Sequence, residues 1–207
     1  MKRTLVVAFS FLAFLTNLPS GFSDDAVFDI SGNPVVTDRR YYILPAIRGP
    51  QGGGLKLAKT GNSQCPLTVL QDYSEVFRGS PVKFTVAEPT PLILTDSSLD
   101  IEFVDKPECA ESPKWIVFLD NEIYTPYVGL SGQTGPILDG KFKIEKQGLG
   151  YKLVFCVDDS QNCFDIGRSD AQNGEDGRRL SFTQEDVFNV VFVQAFEDDD
   201  KVIKSVV

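Results

Sequence analysis

The sequence contains no histidine. Without imidazole it cannot build a Ser-His-Asp or Cys-His nucleophile pair, a zinc site with His ligands, or a histidine pH switch. Cysteine is scarce too, at positions 65, 109, 156 and 163, and this spacing lacks the two short Cys pairs of an all-cysteine zinc site. No GxxxxGK[ST] stretch is present, nor a GxGxxG between a strand and a helix, so no phosphate-binding loop is expected. Positive charge is limited, with 20 Lys+Arg against 29 Asp+Glu and a net charge of −9. A nucleic-acid partner is therefore not expected, because affinity for the phosphate backbone needs clustered Lys and Arg. The acidic run Glu197-Asp198-Asp199-Asp200 lacks the Gly-containing loop and distal Glu of a helix-loop-helix calcium site and reads as a solvated tail. Neither a metal nor a cofactor is expected. Paired-carboxylate hydrolysis is the chemistry left open, and on these absences an enzyme is the less favoured class.

One long apolar run is present. Lys2 and Arg3 precede Leu5 to Leu15, which is broken only by Ser10, and Gly21 and Ser23 stand at −3 and −1 to a cut before Asp24. That is the layout of a secretory signal peptide over residues 1–23. As a helix, eleven residues would span roughly 16 Å against a hydrocarbon core of ~30 Å, too short for a membrane span. Removing residues 1–23 takes away two cations and no acids, moving the net charge from −9 to −11. An oxidising compartment follows, and there four cysteines suggest two disulfides with three possible pairings. Cys156 and Cys163 flank a turn-forming polar stretch, Val157 to Asn162. No Asn-x-Ser/Thr acceptor is present, so N-glycosylation is not expected.

Residues 24–207 read as one domain without a linker. No stretch holds an i, i+3, i+4, i+7 apolar stripe for three turns. Short apolar or alternating runs recur instead between Gly, Pro, Asn and Asp: 41–44, 67–70, 82–86, 99–104, 115–119, 142–145, 151–157, 180–183 and 188–196. This pattern predicts an all-β barrel or sandwich. Tyr41-Tyr42-Ile43-Leu44 and Tyr151-Lys152-Leu153-Val154 lie 110 residues apart, an interval that two repeats of about 55 would explain. Trp115, the only tryptophan, is expected in the core, and the pairs Arg39-Arg40 and Arg178-Arg179 are expected to be solvated turn residues.

Several ordered blocks carry a resemblance. They are Val27, Asp29, Gly32, Asn33, Pro34 and Val35, then Tyr41 to Leu44, Gly52 to Leu55, Cys65 to Val69, Gly79 to Val82, Cys109 with Trp115, Tyr151 to Cys156, Asp165 to Gly167, and Arg178 to Leu180. Through them the chain resembles the plant Kunitz (soybean trypsin inhibitor type) family, miraculin-like members included, over residues 27–196. The resemblance implies a β-trefoil of twelve strands in three pseudo-repeats, with Cys65–Cys109 and Cys156–Cys163 bridged. It also implies a secreted or vacuolar monomer that is not an enzyme. Its partner would be a protease, of the serine class by default and of the cysteine or aspartic class in some relatives.

In that family an exposed loop after the Gly-x-Pro-Val strand enters the protease cleft. Here the loop is Ala87, Glu88, Pro89, Thr90 and Pro91, and the specificity position falls on Pro89 where a trypsin inhibitor carries Arg or Lys. Proline fixes its own backbone angle and fills a trypsin pocket poorly. A second departure is Thr37, at the place of a loop-supporting Asn. A hydroxyl offers one donor where an amide offers two. Two functions follow from the resemblance: an inhibitor with non-tryptic or weakened specificity, or a non-inhibitory binding, defence or storage protein.

Overall fold

A computed structural model describes residues 26–47, 49, 51–87, 90–120, 125–132, 135–158, 162–170 and 174–196. Residues 1–23, which the sequence reads as a signal peptide, and Glu88, Pro89 and the acidic run 197–200 lie outside the described residues. Thirteen strands are found, against the twelve implied by resemblance, and no helix is found among the described residues. They are β1 (Arg40–Pro45), β2 (Leu55–Ala58), β3 (Thr68–Gln71), β4 (Val82–Val86), β5 (Leu99–Phe103), β6 (Trp115–Leu119) and β7 (Pro126–Leu130). The rest are β8 (Ile137–Leu138), β9 (Gly140–Gln147), β10 (Gly150–Val157), β11 (Cys163–Ser169), β12 (Arg178–Thr183) and β13 (Val190–Ala195). Only Asp139 separates β8 from β9, yet the two pair with different neighbours, β8 with β6 and β9 with β10.

Six strands form a ring. β4 pairs with β5, β9 with β10 and β13 with β1 along long registers. Single residue pairs join the remaining neighbours: Tyr41↔Val82, Leu99↔Phe142 and Tyr151↔Val190. The ring therefore closes with three long and three short seams in alternation, and its strands present no unpaired barrel edge. Hairpins β2–β3, β6–β7 and β11–β12 cap it, linked to one another through Thr68↔Gly129, Ser181↔Tyr127 and Arg179↔Leu70. This is a β-trefoil. Tyr41 and Tyr151 occupy corresponding seam positions on β1 and β10, which gives the 110-residue interval its spatial meaning.

Alternation in the sequence becomes burial. In β4, Val82 and Phe84 are buried while Lys83 and Thr85 face out, and in β5 Leu99, Ile101 and Phe103 point inward. The barrel interior holds a chain of rings: Tyr41 to Phe84 at 5.9 Å, Phe84 to Phe192 at 5.4 Å and Phe192 to Tyr151 at 5.6 Å between centroids. Trp115 lies in this core, between Phe103 and Phe142. Truncating such a ring to Ala typically costs about 3–5 kcal/mol.

Glycine matters most where two backbones touch. A Cβ on Gly54 would lie 1.9 Å from the Arg78 carbonyl oxygen, and one on Gly79, at φ +84°, would lie 2.3 Å from that of Leu55. Only a missing side chain allows this approach. Two hydrogen bonds fasten it, Gly54 N–H to Phe77 O and Ser80 N–H to Leu55 O, both 2.7 Å. This contact seats the strand that leads into the β4–β5 loop. Both expected disulfides are present, Cys65–Cys109 and Cys156–Cys163, closing separations of 44 and 7 residues.

Candidate functional site: the loop between β4 and β5

The loop leaves the barrel at Val86, which still pairs with Leu99, and returns through Leu92 to Leu94. Ala87 and Pro91 are exposed and Thr90 is half-buried. Behind the returning limb runs an N-terminal arm, residues 26–37. Ile93 is fully buried and is hydrogen-bonded on both sides by that arm. Its N–H donates to Val35 O and its carbonyl accepts from Val27 N–H, each at 2.9 Å. Bridges Ala26↔Leu94 and Val36↔Leu92 extend the pairing. Thr37 N–H then donates to Pro91 O at 2.9 Å, and Thr90 Oγ1 accepts from Leu92 N–H at 3.3 Å.

The arm is itself folded by local chemistry. The Asp29 carboxylate accepts the N–H groups of Ser31 and Asn33 at 2.8 and 2.9 Å, an Asx-type turn around Gly32 at φ +78°. Ser31 contributes only its main-chain N–H there, so the side chain that departs from the family's opening signature carries no part of the turn's bonding to Asp29. The Asn33 amide faces Asp29 at 3.4 Å and not the loop. At the arm's far end Val36 N–H donates to the Tyr41 hydroxyl at 3.0 Å. Burial pushes that phenol upward in pKa, outweighing the opposing bond from Val36, so Tyr41 stays protonated and anchored.

Among the predicted site residues, the structure brings Thr37, Thr90 and Pro91 together. They border one open hollow with Asp38, Phe84, Thr85 and Val86. Ala87 leads out of β4 on the opposite limb, and Glu88 and Pro89 are outside the described residues. The contact from position 37 is a main-chain N–H, which any residue except proline supplies. Sequence reasoning missed the arm as a brace, because its pairing with residues 90–94 is a long-range β contact with no local periodicity to announce it. The chemistry available is presentation: an extended segment held from behind by backbone bonds.

A ring of six strands capped by three hairpins, with one inter-strand loop braced by a separate arm, is a β-trefoil built to present that loop. The family model for legume Kunitz proteins, described as trypsin and protease inhibitor, matches residues 27–194, and the chain belongs to that family. It is 49% identical to the Kunitz-type trypsin inhibitor-like 1 protein of Pisum sativum, over 98% of this chain and 97% of the relative. The subtilisin inhibitor CLSI-II of Canavalia lineata is 50% identical, over 83% of this chain and 93% of its own. Among solved structures, a Kunitz type trypsin inhibitor from Cicer arietinum superposes with a TM-score of 0.79 at 50% identity. That likeness covers 83% of this chain and 99% of the other.

Proposed function

We propose that the chain is a secreted or vacuolar serine-protease inhibitor. It acts through residues 85–91 once residues 1–23 are removed, with specificity directed away from trypsin. The observation that carries this reading is the brace. Ile93 is bonded on both sides and Thr37 N–H holds Pro91 O, so the limb beyond the scissile position is fixed before any protease arrives. A loop ordered in advance lowers the ordering cost of binding, and Pro89 and Pro91 restrict it further. Pro89 offers no cation to the acidic floor of a trypsin pocket, and Glu88 beside it adds a like charge. The 50% identity to a subtilisin inhibitor favours a target with an apolar or permissive pocket.

The test is a titration against trypsin, chymotrypsin, elastase, subtilisin, papain and an aspartic protease. Inhibition of subtilisin or elastase below micromolar concentration, with trypsin at least about a hundredfold weaker, is expected; that ratio is roughly 2.7 kcal/mol of lost pocket complementarity. No inhibition of any member would leave the non-inhibitory reading, a miraculin-like binding, defence or storage protein. A second measurement tests the register. Pro89→Arg combined with Thr37→Asn should create trypsin inhibition, and no gain would move the reactive position elsewhere.

A further inference from the structure

The cap carries two guanidinium groups that the loop does not use. Arg168 on β11 and Arg178 at the start of β12 line an open polar hollow of about 300 Å³ with Gln51, Asp170 and Asp186. Against ~30 Å³ per water in the liquid, this admits a tetrahedral oxyanion with part of its hydration. Each guanidinium lies over a ring, Arg168 Cζ 5.0 Å from Phe188 and Arg178 Cζ 5.0 Å from Tyr73. The two side chains are only 12% and 25% exposed. A cation held that way needs a close counter-charge or full hydrogen bonding.

Neither is supplied in full among the described residues. Asp186 stands 3.6 Å from Arg168 Nη2 and Asp170 stands 3.5 Å from Arg178 Nε. Both distances exceed an ordinary charge-assisted hydrogen bond, and the carboxylates are 71% and 92% exposed, so each pair contributes little. The Gln51 carbonyl is oversubscribed. It accepts Gln71 Nε2 at 2.8 Å and Arg178 Nη1 at 3.0 Å, and Arg168 Nη1 lies 3.4 Å away. A carbonyl has two lone pairs for these three donors. Arg168 Nη1 also reaches Oε1 of the buried Gln71 at 3.2 Å, and its Nε, itself buried, has no partner among the described residues. Two fixed guanidinium forks thus meet at a solvent-open hollow with donors in excess of acceptors.

We propose that this hollow binds a tetrahedral oxyanion, phosphate or sulfate, free or as a monoester. Arg168 and Arg178 hold it, and Asp170 and Asp186 swing into water to admit it. The geometry suits bidentate guanidinium contacts, which planar forks make to such anions. The site is independent of the inhibitory loop, and variants within it leave the protease panel unchanged.

The experiment is calorimetric titration of the purified protein with sodium sulfate, sodium phosphate and O-phosphoserine, at an ionic strength fixed with sodium chloride. Saturable binding is expected, weakened about tenfold or more in Arg178→Gln through loss of one charge-assisted fork. Asp186→Asn should tighten it severalfold, an opposite sign that a merely structural ion pair does not produce. Saturation by the inorganic anions but not phosphoserine assigns a free ion; saturation by all three assigns a site open to esters. No saturable heat, or an equal response in Arg178→Gln, overturns the proposal. Arg178→Gln is preferred to an Arg168 variant because Arg168 is the more buried, and unchanged thermal unfolding without anion verifies that the variant folds.

Discussion

Two adjacent arginines in this chain have different fates, although both carry the same expectation from sequence. Arg178 meets the partly open hollow, whereas Arg179 is 4% exposed, so the expectation of a solvated pair fails. The difference is strand alternation: neighbours on β12 point to opposite faces, and Arg179 turns inward over Tyr127, 4.7 Å from its ring. There it is bonded by Glu175, whose side chain is 4% exposed, and Asp120 approaches at 3.4 Å. Burial drives the Arg179 pKa down, and the bonds from Glu175 outweigh it and raise it overall. Glu175→Gln should cost about 3–5 kcal/mol by leaving a buried cation undercompensated, while the Glu175→Leu/Arg179→Met pair should recover most of that loss. Urea denaturation of the three proteins checks it; equal losses in the single and double variants would contradict the argument.

Asp100 carries a pH signature. Burial raises its pKa, but hydrogen bonds and charges from Lys141 and Lys114, at 2.9 and 3.0 Å, prevail and set it below the ordinary carboxylate value. A depressed folded-state pKa contributes stability that is present above the unfolded pKa and is lost as pH falls through the folded one. Acid should therefore weaken the wild-type protein more steeply than Asp100→Asn over that window. Urea midpoints between pH 7 and pH 2 read it directly. Parallel curves would mean that the lysines do not stabilise the charged form.

At the scale of elements, strands with two strong signals were legible. β4 and β6 fall where Val82–Val86 and Trp115–Leu119 were read, because alternation or an unbroken apolar run coincides with β-branched and aromatic residues. The hairpin strands β2, β7 and β11 were not legible. Lys56 interrupts β2, Pro126 and Gly129 punctuate β7, and Asp165, Gly167 and Arg168 give β11 a polar reading. These strands are defined by their pairing, β2 with β3, β7 with β6 and β11 with β10 and β12, and pairing is not encoded in a strand's own propensity. The bridges divide their work in the same terms. Cys65–Cys109 ties the β2–β3 hairpin to the segment before β6, and Cys156–Cys163 pins the turn between β10 and β11. On the chain-entropy account, losing the first to paired Ser costs about 4 kcal/mol and losing the second about 2.5. Unfolding of the two double variants tests the order; a reversed ranking would show that native-state strain, and not loop length, sets it.

At the scale of the molecule, the trefoil places its loop by symmetry and its brace by exception. The ring has three long seams between units: two are spanned by connections within the chain, at β4–β5 and β9–β10, while the third joins the last strand to the first, β13 to β1. The β9–β10 connection is a tight turn at Gly148-Leu149, whereas the β4–β5 connection is long and receives the arm. The fold class was legible through residue blocks that match a family. The brace was not, since the arm's residues Val27 and Val35 declare only that they are apolar.

The third seam has a consequence for how the molecule comes into being. Arg40 pairs with Ala195, so the first barrel strand finds its main neighbour only when the last has been made. With synthesis at ~5–20 residues per second, β1 waits roughly eight to thirty seconds for β13. During that interval the nascent chain can form its hairpins, but it exposes an unpaired strand edge of the kind that invites association with other chains. The barrel is thus complete only when translation has passed β13, and the closed ring that hides every barrel edge in the finished protein makes its assembly depend on the strand that arrives last.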